Sequence, residues 1–146
     1  MIDHTAAHLA LRAQLLTVST LPAARAFENK DYVPVTGTPY VADSYVPATH
    51  RLLSVTAKQG TAQETGLYVV TVHGLENSGL SMRTIAQSIL AAFLPGQTFT
   101  TTTGDVVRIR SDLAPYAGQV TPLDTGWALC VIRIPWRAFS SNQLAA

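Results

Sequence analysis

The sequence predicts an α+β fold, a mainly antiparallel sheet of four to five strands with two helices packed on it. Three observations lead there. Apolar residues recur at helical spacing in two separated segments. Strand-like runs are joined by turns bearing Gly and Pro. The order helix, two strands, helix, two strands, strand suits an antiparallel sheet rather than alternating βαβ units. At 146 residues and 47% apolar composition, the chain is long enough for one domain with a real core, read over residues 1–146.

Asp3 is placed to cap a first helix running to about Ser19, because its carboxylate accepts from the free amides of the first turn. Leu9, Ala13 and Leu16 share a face, with Leu11, Leu15 and Val18 alongside. His4, His8 and Arg12 form a polar stripe at helical spacing, read as solvent-facing. Pro22 marks where the helix has already stopped.

Residues 28–49 read as an extended connector containing Pro34, Gly37, Pro39 and Pro47. A structureless stretch of this length is uncommon in a compact domain unless it has a task. Tyrosines are favoured at interfaces, so Tyr32, Tyr40 and Tyr45 are the candidate subunit-contact residues, with the first helix as a second contact element.

Strands follow. HRLLSVTAK, His50 to Lys58, alternates; after the turn QGTAQETG comes LYVVTVH, Leu67 to His73, as its antiparallel partner. Both faces of that second strand are largely apolar, as in a central strand covered on both sides. Met82, Ile85, Ala86, Ile89, Leu90 and Phe93 then define one face of a second helix. Ser78 or Ser81 is its cap and Pro95-Gly96 its end. TFTTTT and VVRIRS form a hairpin about Gly104-Asp105, and WALCVIRIPW, Trp127 to Trp136, is the last strand.

Composition narrows the function. Charged residues make up 13%, about half the ~25% usual in soluble domains, and so sparse a charge suits a surface buried against other subunits. A net charge of +1 argues against gripping nucleic acid over a broad basic face. The single Cys130 excludes an intrachain disulfide and any all-cysteine metal site, and its apolar surroundings suit a small buried hydrophobe. MIDHTAAHLAL lacks the basic start and apolar run of a signal peptide, and ILAAFL falls far short of the ~20 residues of a membrane span. A soluble protein made in a cytoplasm, with no membrane partner, is expected.

Four motifs are weighed for chemistry. GLENSGLS, Gly74 to Ser81, has the two-glycine frame of a phosphate loop. Leucine stands where the loop needs its lysine, and Glu76 adds a carboxylate, so the segment reads as a corner. His4 and His8 stand four apart like a metal-binding pair, yet no glutamate base lies between them and no third ligand is evident. His50 and His73 end two strands expected to pair, which would bring them near one another beside a pocket. A small enzyme or ligand-binding domain using that pocket is the competing reading. The acidic residues are spread singly and no nucleophile elbow is present, so no catalytic residue, metal or cofactor is expected. Arg108 and Arg110 share a strand face, and Arg133 joins them if those strands pair. The three read as a solvated sheet face or, repeated in a ring, as a small basic patch able to meet a polyanion.

Taken together, "FENKDYVP", "TPYV", the strand pair ending in "LYVVTVHG", "GLSMRTIAQSILAAFLPG" and "VIRIPWRA" resemble a tail terminator protein of long-tailed bacteriophages, over about residues 5 to 138. Phe27 departs from the pattern, since relatives often carry tryptophan there. The resemblance implies a structural virion protein that forms a homohexameric ring, caps the tail tube and joins tail to head. Its implied partners are copies of itself, the major tail-tube protein and a head-completion or connector protein, with transient DNA contact in the lumen. It implies a place in the virion tail and assembly in the host cytoplasm. A head–tail connector or minor tail protein of similar fold is the alternative within the same setting.

Overall fold

The computed structural model describes residues 2–28, 31–56, 59–123 and 126–143. In order they form α1 (His4–Leu15), β1 (Ala24–Ala26), β2 (Tyr40–Thr56), β3 (Gln59–Leu75), α2 (Gly79–Ala92), β4 (Thr98–Thr100), β5 (Val106–Ile109), β6 (Tyr116–Ala117), β7 (Thr121–Pro122) and β8 (Trp127–Gln143). The α+β class and the two helices are as expected; the sheet is larger and mixed. Its strand order is β1-β2-β3-β8-β5-β4, with β6 and β7 also paired to β8. Every pairing is antiparallel except β1 with β2. The sheet curls into a half-barrel, and its β2–β3 ladder is interrupted between Pro47 and Thr49 and between Leu52 and Ser54. Such bulges bend and twist a ribbon.

Three long strands make the frame. β2 begins at Tyr40, so the connector expected over 28–49 is strand in its second half. β3 is already paired at Gln59, where a turn was expected, and β8 continues past Trp136 to Gln143. Ala57 and Lys58, assigned to the first strand from sequence, lie outside the described residues. Polar alternation hid these extensions, because Gln, Thr and Glu pair through their backbones as well as valine does. The hairpin about Gly104-Asp105 forms as read, with Gly104 at φ +88° and Thr101 N–H donating to Asp105 O at 2.8 Å.

The alternation of β3 and β8 sorts the molecule into two faces. Tyr68, Val70 and Val72 of β3 and Ile132, Ile134, Trp136 and Ala138 of β8 are buried beneath the helices. Residues between them, such as Val69 and Val131, lie on the opposite face, half-exposed. The central strand, expected to be covered on both sides, carries its helix layer on one.

Asp3 caps α1 through a bond from Ala6 N–H to its Oδ1 at 3.1 Å. The helix ends at Leu15 rather than Ser19, and it buries Ala6, Ala7, Leu11 and Leu15. Leu9 and Leu16, expected on the packed face, are exposed. In α2, Met82, Ala86, Ile89 and Phe93 are buried and Ile85 and Leu90 pack at the margin, which is the predicted stripe. Ser78 sits at the N-cap position but makes no capping bond; its hydroxyl donates instead to Leu75 O.

Candidate functional site

The histidine stripe of α1 does not face solvent. It lies against two buried carboxylates on the inner face of the hairpin, Asp43 of β2 and Glu64 of β3. Asp43 accepts from Arg12 Nε at 2.8 Å and Nη2 at 3.0 Å, from Tyr68 Oη at 2.9 Å and from the Glu28 amide at 2.9 Å; His8 Nε2 stands 3.0 Å away. Burial alone would push this carboxyl up, but the bonds from His8, Arg12, Glu28 and Tyr68 outweigh it and hold the group well below the usual carboxylate range. The same burial, reinforced by the Asp43 charge, pushes the Tyr68 phenol far up. Glu28 completes the knot by accepting from the Tyr45 amide at 3.0 Å.

Glu64 holds the start of the chain. It accepts from Ile2 N–H at 2.8 Å, with His50 Nδ1 at 3.0 Å and His4 Nε2 at 3.4 Å. Burial opposes its charge, yet the Ile2 amide and the two histidines keep its carboxyl lowered. Tyr45 lies between the two centres. Its ring stacks on His8 at 5.2 Å and on Trp136 at 5.2 Å, and its hydroxyl meets His4 Nδ1 at 2.7 Å. Gly66 makes the stack possible, since a Cβ there would stand 2.5 Å from the Trp136 ring. The cleft above, about 430 Å³, is lined by His4, His8, Arg12, Glu28, Tyr45 and Pro47 among others. Because donors of the fold already occupy both carboxylates, the cluster acts as an anchor clamping α1 to the sheet. Among the described residues no group of three metal-ligating side chains converges.

His50 and His73 do not meet. His50 pairs with Glu64 and His73 with Tyr40, so they stand far apart along the hairpin and on opposite faces. The early start of β2 moved the register. His73 instead stacks on Tyr40 at 4.3 Å, with Trp127 edge-on to Tyr40 at 5.6 Å and Tyr32 tilted against it at 4.9 Å. Burial lowers the His73 imidazole and raises the Tyr40 phenol. Of the three tyrosines singled out from sequence, Tyr32 and Tyr40 thus join in one aromatic cluster and Tyr45 sits on the other face. Val33 and Val35, beside Tyr32, project with 82% and 58% exposure.

Arg108 and Arg133 share the outer face of the sheet without pairing with one another. β5 pairs with β8, which sets Arg108 opposite Arg137; Arg133 lies four residues along the same face. Arg110 is held by Asp112 through Nε at 3.0 Å and Nη2 at 2.6 Å. The Arg110 fork draws the Asp112 carboxyl down to about 2. The Arg133 guanidinium lies 5.8 Å from the Tyr116 ring centre. Arg137 was missed from sequence because only the register of β5 on β8 brings it in.

The turn at Gly74 is a packing corner. A Cβ on Gly74 would stand 2.7 Å from Met82 Sδ, Asn77 takes φ +69°, and Leu80 is 80% exposed where a phosphate loop would carry its lysine. Cys130 is buried, and burial pushes its thiol up. No described helix is long and apolar enough to cross a membrane.

Fold and site together define an α+β protein whose conspicuous features are an internal anchor and differentiated surfaces. Solved structures share the fold. One chain aligns with a TM-score of 0.65 at 21% identity, covering 92% of this chain and 91% of its own. Another, from a structure titled the virion of a native gene transfer agent particle, aligns with a TM-score of 0.55 at 14% identity, covering 94% and 96%. No curated protein matches the sequence. The family profile described as phage tail terminator protein matches residues 6–136. The chain belongs to the phage tail terminator family, a family of structural phage proteins.

Proposed function

We propose that copies of this chain close into a hexameric ring that caps the tail tube at its finished length and joins the tail to the head. The observation that carries this reading is the family match across residues 6–136, nearly the whole described fold. The surfaces support it. A chain with 13% charged residues that projects Val33 and Val35 from an irregular loop has apolar surface to cover. Tyr32 and the start of β2 with Tyr40 are the subunit contact in this reading, together with the outward side of α1; Tyr45, packed on His8 and Trp136, belongs to the internal anchor instead. The ring's two rims would meet the major tail-tube protein and a head-completion or connector protein, with assembly in the host cytoplasm. No chemistry is required of it; symmetry repeats each contact around the axis.

Loss of the gene tests the reading. Phage carrying an amber codon in it should make tubes of uncontrolled length by electron microscopy, and tubes of normal length in its absence would overturn the proposal. Co-purification with tails that have never met heads separates a terminator from a connector of similar fold. Arg108, Arg110 and Arg133 would face DNA in the lumen or face a protein neighbour; their surroundings favour the second.

A further inference from the structure

We infer that the outer face of the sheet around Arg108, Arg133 and Arg137 is a docking surface for an acidic protein partner, one that covers an apolar centre and answers the arginines with carboxylates. The inference rests on the assembly reading above only for its setting; the surface itself rests on geometry.

Arg108 and Arg137 are direct cross-strand partners, and like charges so placed repel. Within this patch Asp112 is the acidic group that answers them, and it is already committed to Arg110 at 2.6 Å, reaching Arg137 only at 3.3 Å. Arg108 and Arg133 have no carboxylate partner among the described residues. The charge is also segregated. The buried carboxylates Asp43 and Glu64 lie on the helix side of the sheet, so they do not offset the outer face. An acidic partner would remove the cross-strand repulsion and complete the ion pairs.

The neighbours say which kind of anion fits. Val106 and Phe139 are themselves a cross-strand pair, one step from Arg108–Arg137 on the same face, and are 45% and 47% exposed. Tyr116, under Arg133, is 48% exposed. Duplex DNA would take the guanidinium groups by its phosphates and leave Val106 and Phe139 in water. A protein surface with carboxylates around an apolar patch covers both, and aromatic residues with arginine are the composition enriched in protein interfaces.

The test uses the purified full chain and three labelled probes in ~0.15 M salt: a peptide alternating Glu and Leu, a poly-Glu peptide of equal charge, and a short DNA duplex. Fluorescence anisotropy should show the Glu–Leu peptide bound at least about fivefold more tightly than either other probe. Arg108→Glu with Arg137→Glu should weaken it about tenfold or more. Val106→Ser with Phe139→Ser should reduce it to the poly-Glu level, while Arg25→Glu, on β1 at the other edge of the sheet, leaves it unchanged. Should the double charge reversal unfold the chain, Arg108→Gln with Arg137→Gln gives the same direction at smaller size. Tightest binding to DNA with a steep salt dependence would overturn the proposal. So would binding set by charge alone, binding that survives the arginine variants, or no binding to any probe. Tube length in the gene-loss experiment reads the assembly function separately, so either result can fail without the other.

Discussion

The Asp43 carboxylate and the Arg12 guanidinium, thirty-one residues apart in sequence, meet in a two-pronged ion pair, with Nε at 2.8 Å from Oδ2 and Nη2 at 3.0 Å from Oδ1. This pair ties α1 to β2. The Asp43 side chain is fully buried while Arg12 retains some exposure, so loss of the acid is the more damaging change. Asp43→Asn keeps the volume but leaves Arg12, His8 and Tyr68 aimed at a neutral amide. Breaking a buried pair from one side costs about 3–5 kcal/mol, and the partial exposure of Arg12 places this case near the lower end. A fall in Tm of roughly 6–12 °C is expected by circular dichroism; a fall under about 2 °C would show the pair to be ornamental.

Acid should attack the same anchor. The Asp43 carboxyl is held below its ordinary 3.8 and the Glu64 carboxyl below its ordinary 4.5. A lowered folded-state pKa means the contribution is complete above the unfolded value and fades as pH falls through the folded one. Tm should therefore be flat on this account down to about pH 5 and decline below about pH 4. The Asp43→Asn curve should be flatter over that window. Parallel curves for the two proteins would remove Asp43 from the explanation.

How much of this was legible beforehand follows from which signals are local. The α2 stripe, the Asp3 cap and the Gly104-Asp105 hairpin each depend on residues within a few positions, and each forms as the sequence indicates. The family resemblance was carried by several such local patterns in order, and the family match covers the same span. The polar stripe of α1 was visible as His4, His8 and Arg12, but its direction was not. A stripe faces solvent by default, and only the register of β2 and β3 places Asp43 and Glu64 beneath it. The arginine face was half legible for the same reason: Arg108 and Arg110 stand two apart in sequence, although β5 ends at Ile109, whereas Arg137 enters through pairing with β8.

Gly66 and Trp136 give a second stability test. A methyl group at residue 66 would meet Val46 O at 2.4 Å and the indole at 2.5 Å, and neither neighbour yields easily, one being backbone and the other a fully buried ring. Overpacking of this kind costs about 1–3 kcal/mol, occasionally more. Gly66→Ala should lower Tm and also change the near-ultraviolet circular dichroism, because the Trp136–Tyr45 stack at 5.2 Å must move. Adding Trp136→Leu should recover part of the loss relative to the sum of the two single changes, as expected for residues in contact. Strict additivity would mean that the two do not interact.

The glycines of the strand-to-helix corner make the sharpest contrast. Gly74 sits under Met82, whose Sδ and Cγ would lie 2.7 and 2.9 Å from an added Cβ, while a Cβ on Gly79 would meet nothing within 4 Å. Methionine is flexible, so Gly74→Ala should cost no more than about 1–2 kcal/mol, the low range of overpacking. Gly79 is the first residue of α2 and its φ is not positive. Gly79→Ala should therefore gain about 0.4–1 kcal/mol by restricting the unfolded chain. Urea midpoints moving in opposite directions, with unchanged slopes, are the expected result. If Gly79→Ala destabilises as much as Gly74→Ala, the second glycine has a task that packing does not explain, and the segment is more than a corner.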